Sequence, residues 1–185
     1  MSKKIIGIAG SLRKDAYSKK LLQAFVEHVP DGYECSIVDI SQLPLFNEDL
    51  ETPELPAVAA FREQVAAADA VLCVTPEYNR SFTPALKNAL DWGSRPRPET
   101  GERVWNGKPV GVAGCSPYTF GAFGAVHHLR QVFVYVNMIP LQQPEFYLSN
   151  AVEKFDDKGN LTDEGTRQHI EKFWAAFATH IDKNS

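Results

Sequence analysis

Short apolar runs and helix-spaced apolar stripes take turns along this chain. Ile5 to Ala9 is a β-rich run that ends at Gly10-Ser11. From Ser18 the spacing changes, and Leu21, Leu22, Phe25, Val26 and Val29 fall on one helical stripe. Pro30-Asp31-Gly32 turns the chain into a second strand over about Tyr33 to Ile40. Ser41 to Pro56 holds three prolines and reads as a long loop. Val58, Phe61, Val65 and Ala68 then recur at helical spacing, and Ala70 to Thr75 is an apolar run suited to burial on both faces of a parallel sheet. Thr83-Pro84 has the form of an N-cap followed by proline in the first turn, with Gly93 as the stop. The polar, proline-rich stretch Ser94 to Pro109 predicts an exposed loop. Val110 to Cys115 predicts a fourth strand, Ala122 to Val136 a helix, and Met138 to Phe146 a fifth strand. The last helix aligns Ile170, Phe173, Trp174, Phe177 and Ile181 on one face.

Five strands alternating with helices predict an α/β fold, a parallel sheet covered on both faces by helices. Right-handed crossovers leave few topologies. With no internal repeat and no place for a second domain to begin, residues 1–185 read as one domain. A hydrophobic share of 44% allows a substantial core, and a net charge of −4 gives no general attraction to nucleic acid or an anionic membrane. Any phosphate must therefore be held by a local arrangement. Cys35, Cys73 and Cys115 are widely spaced and form no CxxC, so neither a disulfide framework nor a metal site is indicated. The apolar run after Met1-Ser2-Lys3-Lys4 is too short for a secretory signal, and no stretch approaches the roughly 20 apolar residues that span a bilayer. The expected compartment is a reducing cytoplasm.

Two segments carry candidate chemistry. Gly10-Ser11-Leu12-Arg13-Lys14-Asp15-Ala16-Tyr17-Ser18 joins strand one to helix one and lacks both the GxGxxG spacing and the Walker lysine. It offers hydroxyls, a guanidinium and a helix N-terminus, which together suit a phosphate monoester. A plain helix-capping surface loop would use the same residue types. Thr75-Pro76-Glu77-Tyr78-Asn79 follows strand three. In a doubly wound sheet of order 2-1-3-4-5 the ligand crevice opens between strands one and three, where both segments fall.

Taken together, GSLRxxxxS, PEYN and Leu86-Lys87-Asn88-Ala89-Leu90-Asp91-Trp92 resemble the NAD(P)H-dependent FMN reductases, especially the bacterial NAD(P)H:quinone and chromate reductases. The likeness continues through Gly107-Lys108-Pro109, Ser116, His128-Leu129-Arg130-Gln131 and Pro144-Glu145-Phe146. It implies a flavodoxin-like three-layer α/β/α sandwich with a five-stranded parallel sheet. It implies tightly but non-covalently bound FMN, with phosphate contacts from Ser11, Arg13 and Ser18. Flavin contacts would come from Pro76, Glu77, Tyr78, Asn79 and Ser116. The implied reaction passes a hydride from NADPH or NADH through FMN to a quinone-like acceptor, with chromate and azo compounds as further candidates. No protein acid, base or nucleophile is needed, because the hydride chemistry belongs to the cofactor. The resemblance also implies a homo-oligomer, dimer or tetramer, with Arg130 and Glu145 at the interface. Alternatives are an enzyme that supplies free reduced FMN, a non-enzymatic flavodoxin carrier and an FMN-free regulatory domain. The carrier reading is disfavoured by the absence of a T/S-x-T-G-x-T loop.

This chain departs from the pattern at Ser18, where many relatives have asparagine, and at Tyr118 and Phe120, where relatives are often smaller. The serine is expected to keep a polar cap, and the two rings to shape the acceptor side. Cys115 reads as packing, His127 and His128 as helix-surface or interface residues, and Asp156 to Asn160 as a turn. Arg95, Arg97 and Arg103 either sit on a solvated loop or meet the 2′-phosphate of NADPH. The second option is the basis for expecting a preference for NADPH.

Overall fold

The computed structural model describes residues 2–184. The first β-rich run forms β1 (Lys3–Ala9), buried from Ile5 onward. It pairs in parallel with β2 (Tyr33–Ile37) on one side and β3 (Ala70–Thr75) on the other, with Ile6 opposite Ser36 and Val71. Beyond β3 comes β4 (Pro109–Cys115), with Cys73 opposite Val112. Every residue of β3 and β4 is buried, which explains their unbroken apolar sequence: a central parallel strand has no wet face.

The order is β2-β1-β3-β4 followed by a fifth position, as expected. That fifth position is two short strands. β5 (Ile139–Pro140) pairs with the start of β4, and β6 (Phe146–Leu148) pairs with its end. Pro140 and Pro144 remove two of the N–H donors that a continuous strand would use. β2 is also shorter than expected, although the Val38 N–H still donates to the Gly7 carbonyl at 2.9 Å.

Five helices cover the sheet: α1 (Tyr17–Glu27), α2 (Pro56–Ala66), α3 (Pro84–Ser94), α4 (Phe123–Tyr135) and α5 (Glu164–Asn184). Alternate β1 residues face opposite layers. Ile6 and Ile8 join the core under α2, α3 and α4, while Ile5 and Ala9 join the core under α1 and α5. Among the described residues no helix is long and apolar enough to cross a membrane.

The stretch from Ser94 to Pro109 is not simply an exposed loop. Val104 and Trp105 are buried within it. The indole N–H of Trp105 donates to the Leu90 carbonyl at 2.9 Å, and its ring lies edge-on to Phe61. Gly93 makes room for that ring, since a Cβ there would stand 2.4 Å from it. Gly93 thus serves the packing of the following loop as well as lying in the last turn of α3.

Candidate functional site

All strands of a parallel sheet end at one edge, so the loops after β1, β3 and β4 converge there. The β1 and β3 loops are tied together by hydrogen bonds. Gly10 donates its N–H to the Val74 carbonyl at 2.8 Å, and the Thr83 hydroxyl donates to the Gly10 carbonyl. Thr83 also caps α3 by accepting from the Leu86 N–H at 3.2 Å. Tyr78 and Ser11 bring their hydroxyls within 3.5 Å of each other across the gap.

Between these loops lies a cavity of about 430 Å³, within the range of small-molecule sites. Of the eight residues singled out from the sequence, seven line it: Ser11, Arg13, Ser18, Pro76, Glu77, Tyr78 and Ser116. Asn79 is not in the wall. With Arg80 it forms the tip of a two-residue turn, both at positive φ (52° and 67°), closed by the Tyr78–Ser81 bridge. Such a turn favours asparagine at its first central position. The wall also includes Ala16, Tyr17, Cys115, Pro117 and Tyr118. Two of these, Ala16 and Tyr17, lie inside the Gly10–Ser18 segment, which the sequence marks through its serines and Arg13. Tyr118 had been noted for its size, and it is 76% exposed at this edge.

Ser18 does not cap α1. The N-cap is Ala16, which has no side chain able to accept a hydrogen bond, and Ser18 stands inside the first turn. It is 1% exposed, and its hydroxyl has no hydrogen-bond partner. A buried polar atom without a partner costs about 1–3 kcal/mol, so its position in a cavity wall suits a polar ligand group. The surroundings suit an anion. The first N–H groups of a helix lack intrahelical partners and sit at the positive end of its dipole. No acidic residue occupies the first turn of α1 to neutralise it. Arg13 is exposed, donates to the Asp15 carbonyl at 2.7 Å, and has no carboxylate partner among the described residues.

Two other polar groups of the cavity, Glu77 and Ser116, are already engaged. One carboxylate oxygen of Glu77 accepts the Ala125 N–H at 3.0 Å in the first turn of α4, and the other lies 3.8 Å from the Arg80 guanidinium. Gly124 permits that approach, because a Cβ there would stand 3.1 Å from the carboxylate. The Ser116 hydroxyl accepts the Tyr118 N–H at 3.1 Å, so it holds its own loop. Burial pushes the Cys115 thiol up to about 12, which leaves no thiolate near neutral pH. Among the described residues no group of His, Cys, Asp and Glu could hold a metal ion. The arrangement can bind a phosphate with a planar body attached, but it contains no nucleophile–base pair.

The arginine loop lies elsewhere. It runs from the end of α3 to the start of β4, so it belongs to the opposite edge of the sheet from the cavity. Arg95 pairs with Glu51 and Glu48, and Arg97 stands 3.7 Å from Glu102. Arg103 reaches only the Ser94 carbonyl, at 3.5 Å. Within the chain these residues cannot line the cavity, and the NADPH preference loses the support that the loop seemed to offer. His127 and His128 are exposed on α4, within reach of Tyr147 (3.1 Å) and Ser81 (2.8 Å) respectively. Asp156 accepts from Asn160 twice, as a turn residue does.

Comparison with known proteins accounts for this geometry. Residues 3–153 match the family model described as NADPH-dependent FMN reductase. The chain belongs to that family. A quinone reductase of Pseudomonas putida is 44% identical over 178 residues, covering 96% of this chain and 94% of that one. The solved structure of FerB, a flavoenzyme NAD(P)H:(acceptor) oxidoreductase from Paracoccus denitrificans, superposes with a TM-score of 0.90 at 35% identity, covering 98% of each chain. A flavodoxin of Pseudomonas aeruginosa, with a TM-score of 0.58 and 17% identity over 97% of this chain and 99% of that one, shows that the fold is flavodoxin-like. The protein is thus an oxidoreductase of the FMN reductase family, dependent on FMN and NAD(P)H. The unpartnered Ser18 hydroxyl and the uncompensated start of α1 fit an FMN phosphate.

Proposed function

We propose that the cavity at the carboxyl edge seats FMN, and that the protein is a cytoplasmic NAD(P)H:quinone reductase. The observation that carries this reading is the Ser18 hydroxyl, buried and unpartnered beside the N-terminus of α1. Ser11, Arg13 and Ser18 would hold the phosphate, with Arg13 swinging from the Asp15 carbonyl to a charge-assisted bond. Pro76, Glu77, Tyr78, Asn79 and Ser116 would flank the isoalloxazine, chiefly through the backbone, since the side chains of Glu77 and Ser116 brace their own loops. When bound, FMN supplies the hydride chemistry. The chain's contribution is position: nicotinamide and flavin must meet at about 3–3.5 Å, and the exposed rings of Tyr118 and Phe120 stand at this edge to guide a planar acceptor.

The quinone assignment is supported by the names of similar proteins, among them the Pseudomonas putida quinone reductase. A homo-oligomer is supported by a second unpartnered atom. Arg130 Nε is buried without a hydrogen-bond partner among the described residues and forms no ion pair with Glu145, which instead lies 3.9 Å from His127, so Arg130 is open to a partner from a second copy. Anaerobic stopped-flow reduction by NADPH and by NADH, followed by a small quinone panel, tests the function. Rapid reoxidation by quinone supports it. Purified protein without flavin, or reduced protein that no quinone reoxidises, would reject it.

A further inference from the structure

A second cavity, about 520 Å³, lies on the other side of the β1–α1 loop. The loop serves both spaces by alternation. Ser11 and Arg13 line the first cavity, while Leu12 and Lys14 line the second. The far wall is the carboxyl end of β2 with Ile37, Asp39 and Ile40, and Lys19 of α1 also contributes.

Three features of this wall are chemical. Leu12 and Ile37 are 51% and 47% exposed, large aliphatic surfaces that both line this space and have no cover within the chain. Lys14 makes no hydrogen bond or ion pair among the described residues, and Lys19 donates to the Leu12 carbonyl at 3.4 Å with the Asp39 carboxyl nearby, so Lys14 is the ammonium group of this wall without a counter-ion. Asp39 follows the end of β2, and its carboxyl is held below the usual range by hydrogen bonds from the Ser41 N–H and hydroxyl, with Lys19 adding to the effect. It remains a carboxylate at neutral pH, with lone pairs to spare.

We propose that this second cavity binds an adenosine phosphate, with the base on Leu12 and Ile37, a ribose hydroxyl on Asp39, and phosphate on Lys14 and Lys19. Each part meets its chemical complement: a flat apolar body, a neutral hydroxyl donor and an anion. An acidic residue near the end of the second strand takes the ribose in other dinucleotide-binding α/β sheets. The adenosine could belong to the nicotinamide dinucleotide, whose other end would then lie in the flavin cavity across the loop. It could equally belong to a separate adenine nucleotide acting on the cofactor loop from behind. Only the first source rests on the reductase reading.

The test is calorimetric titration of the flavin-loaded protein with 5′-ADP, whose ribose keeps both hydroxyls free for Asp39. Wild type is compared with Lys14→Glu and with Ile37→Trp, which fills the space from an exposed position. One molecule should bind per chain, and each substitution should weaken it by about tenfold or more, with flavin content and Tm unchanged. No binding at millimolar ligand, binding insensitive to both substitutions, or displacement by equimolar inorganic phosphate would overturn the site. Steady-state kinetics on the same samples separates the sources. A raised KM for NADH in both variants, with the quinone KM unchanged, identifies the dinucleotide. An unchanged NADH KM alongside lost 5′-ADP binding identifies a separate nucleotide. Wild-type flavin content and quinone turnover report on the reductase reading independently.

Discussion

The two edges of the sheet carry similar residue types and use them in opposite ways. At the amino edge most polar groups have partners: Arg95 meets Glu51, Arg97 meets Glu102, Trp105 donates to Leu90, and Lys108 donates to the Ala68 carbonyl at 2.6 Å, while exposed Arg103 reaches the Ser94 carbonyl at 3.5 Å. At the carboxyl edge Arg13 has a single carbonyl, Ser18 has nothing, and the start of α1 has no acid. A saturated arginine stabilises the fold, whereas an unsaturated one is available to a ligand. Residue type alone does not distinguish the two edges; partner accounting does.

The largest effect expected is at the saturated edge. Trp105→Ala removes a fully buried indole and should cost about 3–5 kcal/mol of stability, read by chemical denaturation. Flavin affinity of the molecules that remain folded should stay within about twofold, because the loss is of packing rather than of a ligand contact. A large loss of affinity in the folded fraction would show that the two edges are not separate.

Arg13→Ala reverses the pattern. The apoprotein melt should hardly move, while FMN should bind roughly tenfold to a hundredfold more weakly, since a charge-assisted hydrogen bond contributes about 1.5–3 kcal/mol. Fluorescence-quenching titration gives the constant, and an unchanged value would remove the phosphate assignment.

Ser18→Ala sharpens the contrast further. Deleting a buried hydroxyl that has no partner should leave the apoprotein equally stable or up to about 1 kcal/mol more stable, yet weaken FMN by several-fold. Differential scanning of apo and loaded forms would show the gap between their melting temperatures shrinking. If the apoprotein instead lost stability, the hydroxyl would have a structural partner and the argument from Ser18 would fail.

The smallest effect should come from Arg95→Ala. Its ion pairs are partly exposed and should contribute no more than about 1 kcal/mol. The ratio of NADPH to NADH KM should not change. A shift in that ratio would bring the arginine loop back into nucleotide recognition through another subunit.

The strands and the helices were legible because alternation and apolar runs report burial directly, whereas the sheet order came with the flavodoxin-like reading. Two candidate loops were legible as flanking one topological gap, Ser116 was supplied by the family resemblance, and seven of the eight candidates line a single cavity. The misreadings share a cause. Ser18 looked like a cap, yet the helix starts earlier, at Tyr17, with Ala16, a residue without a polar side chain, as its N-cap. The Ser94–Pro109 stretch looked solvated because its prolines and arginines outnumber Val104 and Trp105, the two residues that anchor it. The arginine loop was linked to the nucleotide by its charge, although a loop that leads from a helix into the next strand emerges at the edge opposite the cavity. The second cavity was invisible for a related reason, since it is built from exposed aliphatic residues of two separate segments.

The proposed cofactor site requires the Gly10–Ser18 loop to hold a phosphate monoester. It is tested most directly by titrating the apoprotein with FMN and with riboflavin, which differ only in the phosphate. Wild type should prefer FMN by about a hundredfold or more, and Arg13→Ala should bring the two affinities within about tenfold of each other. Equal affinity of the wild-type protein for FMN and riboflavin would contradict the claim.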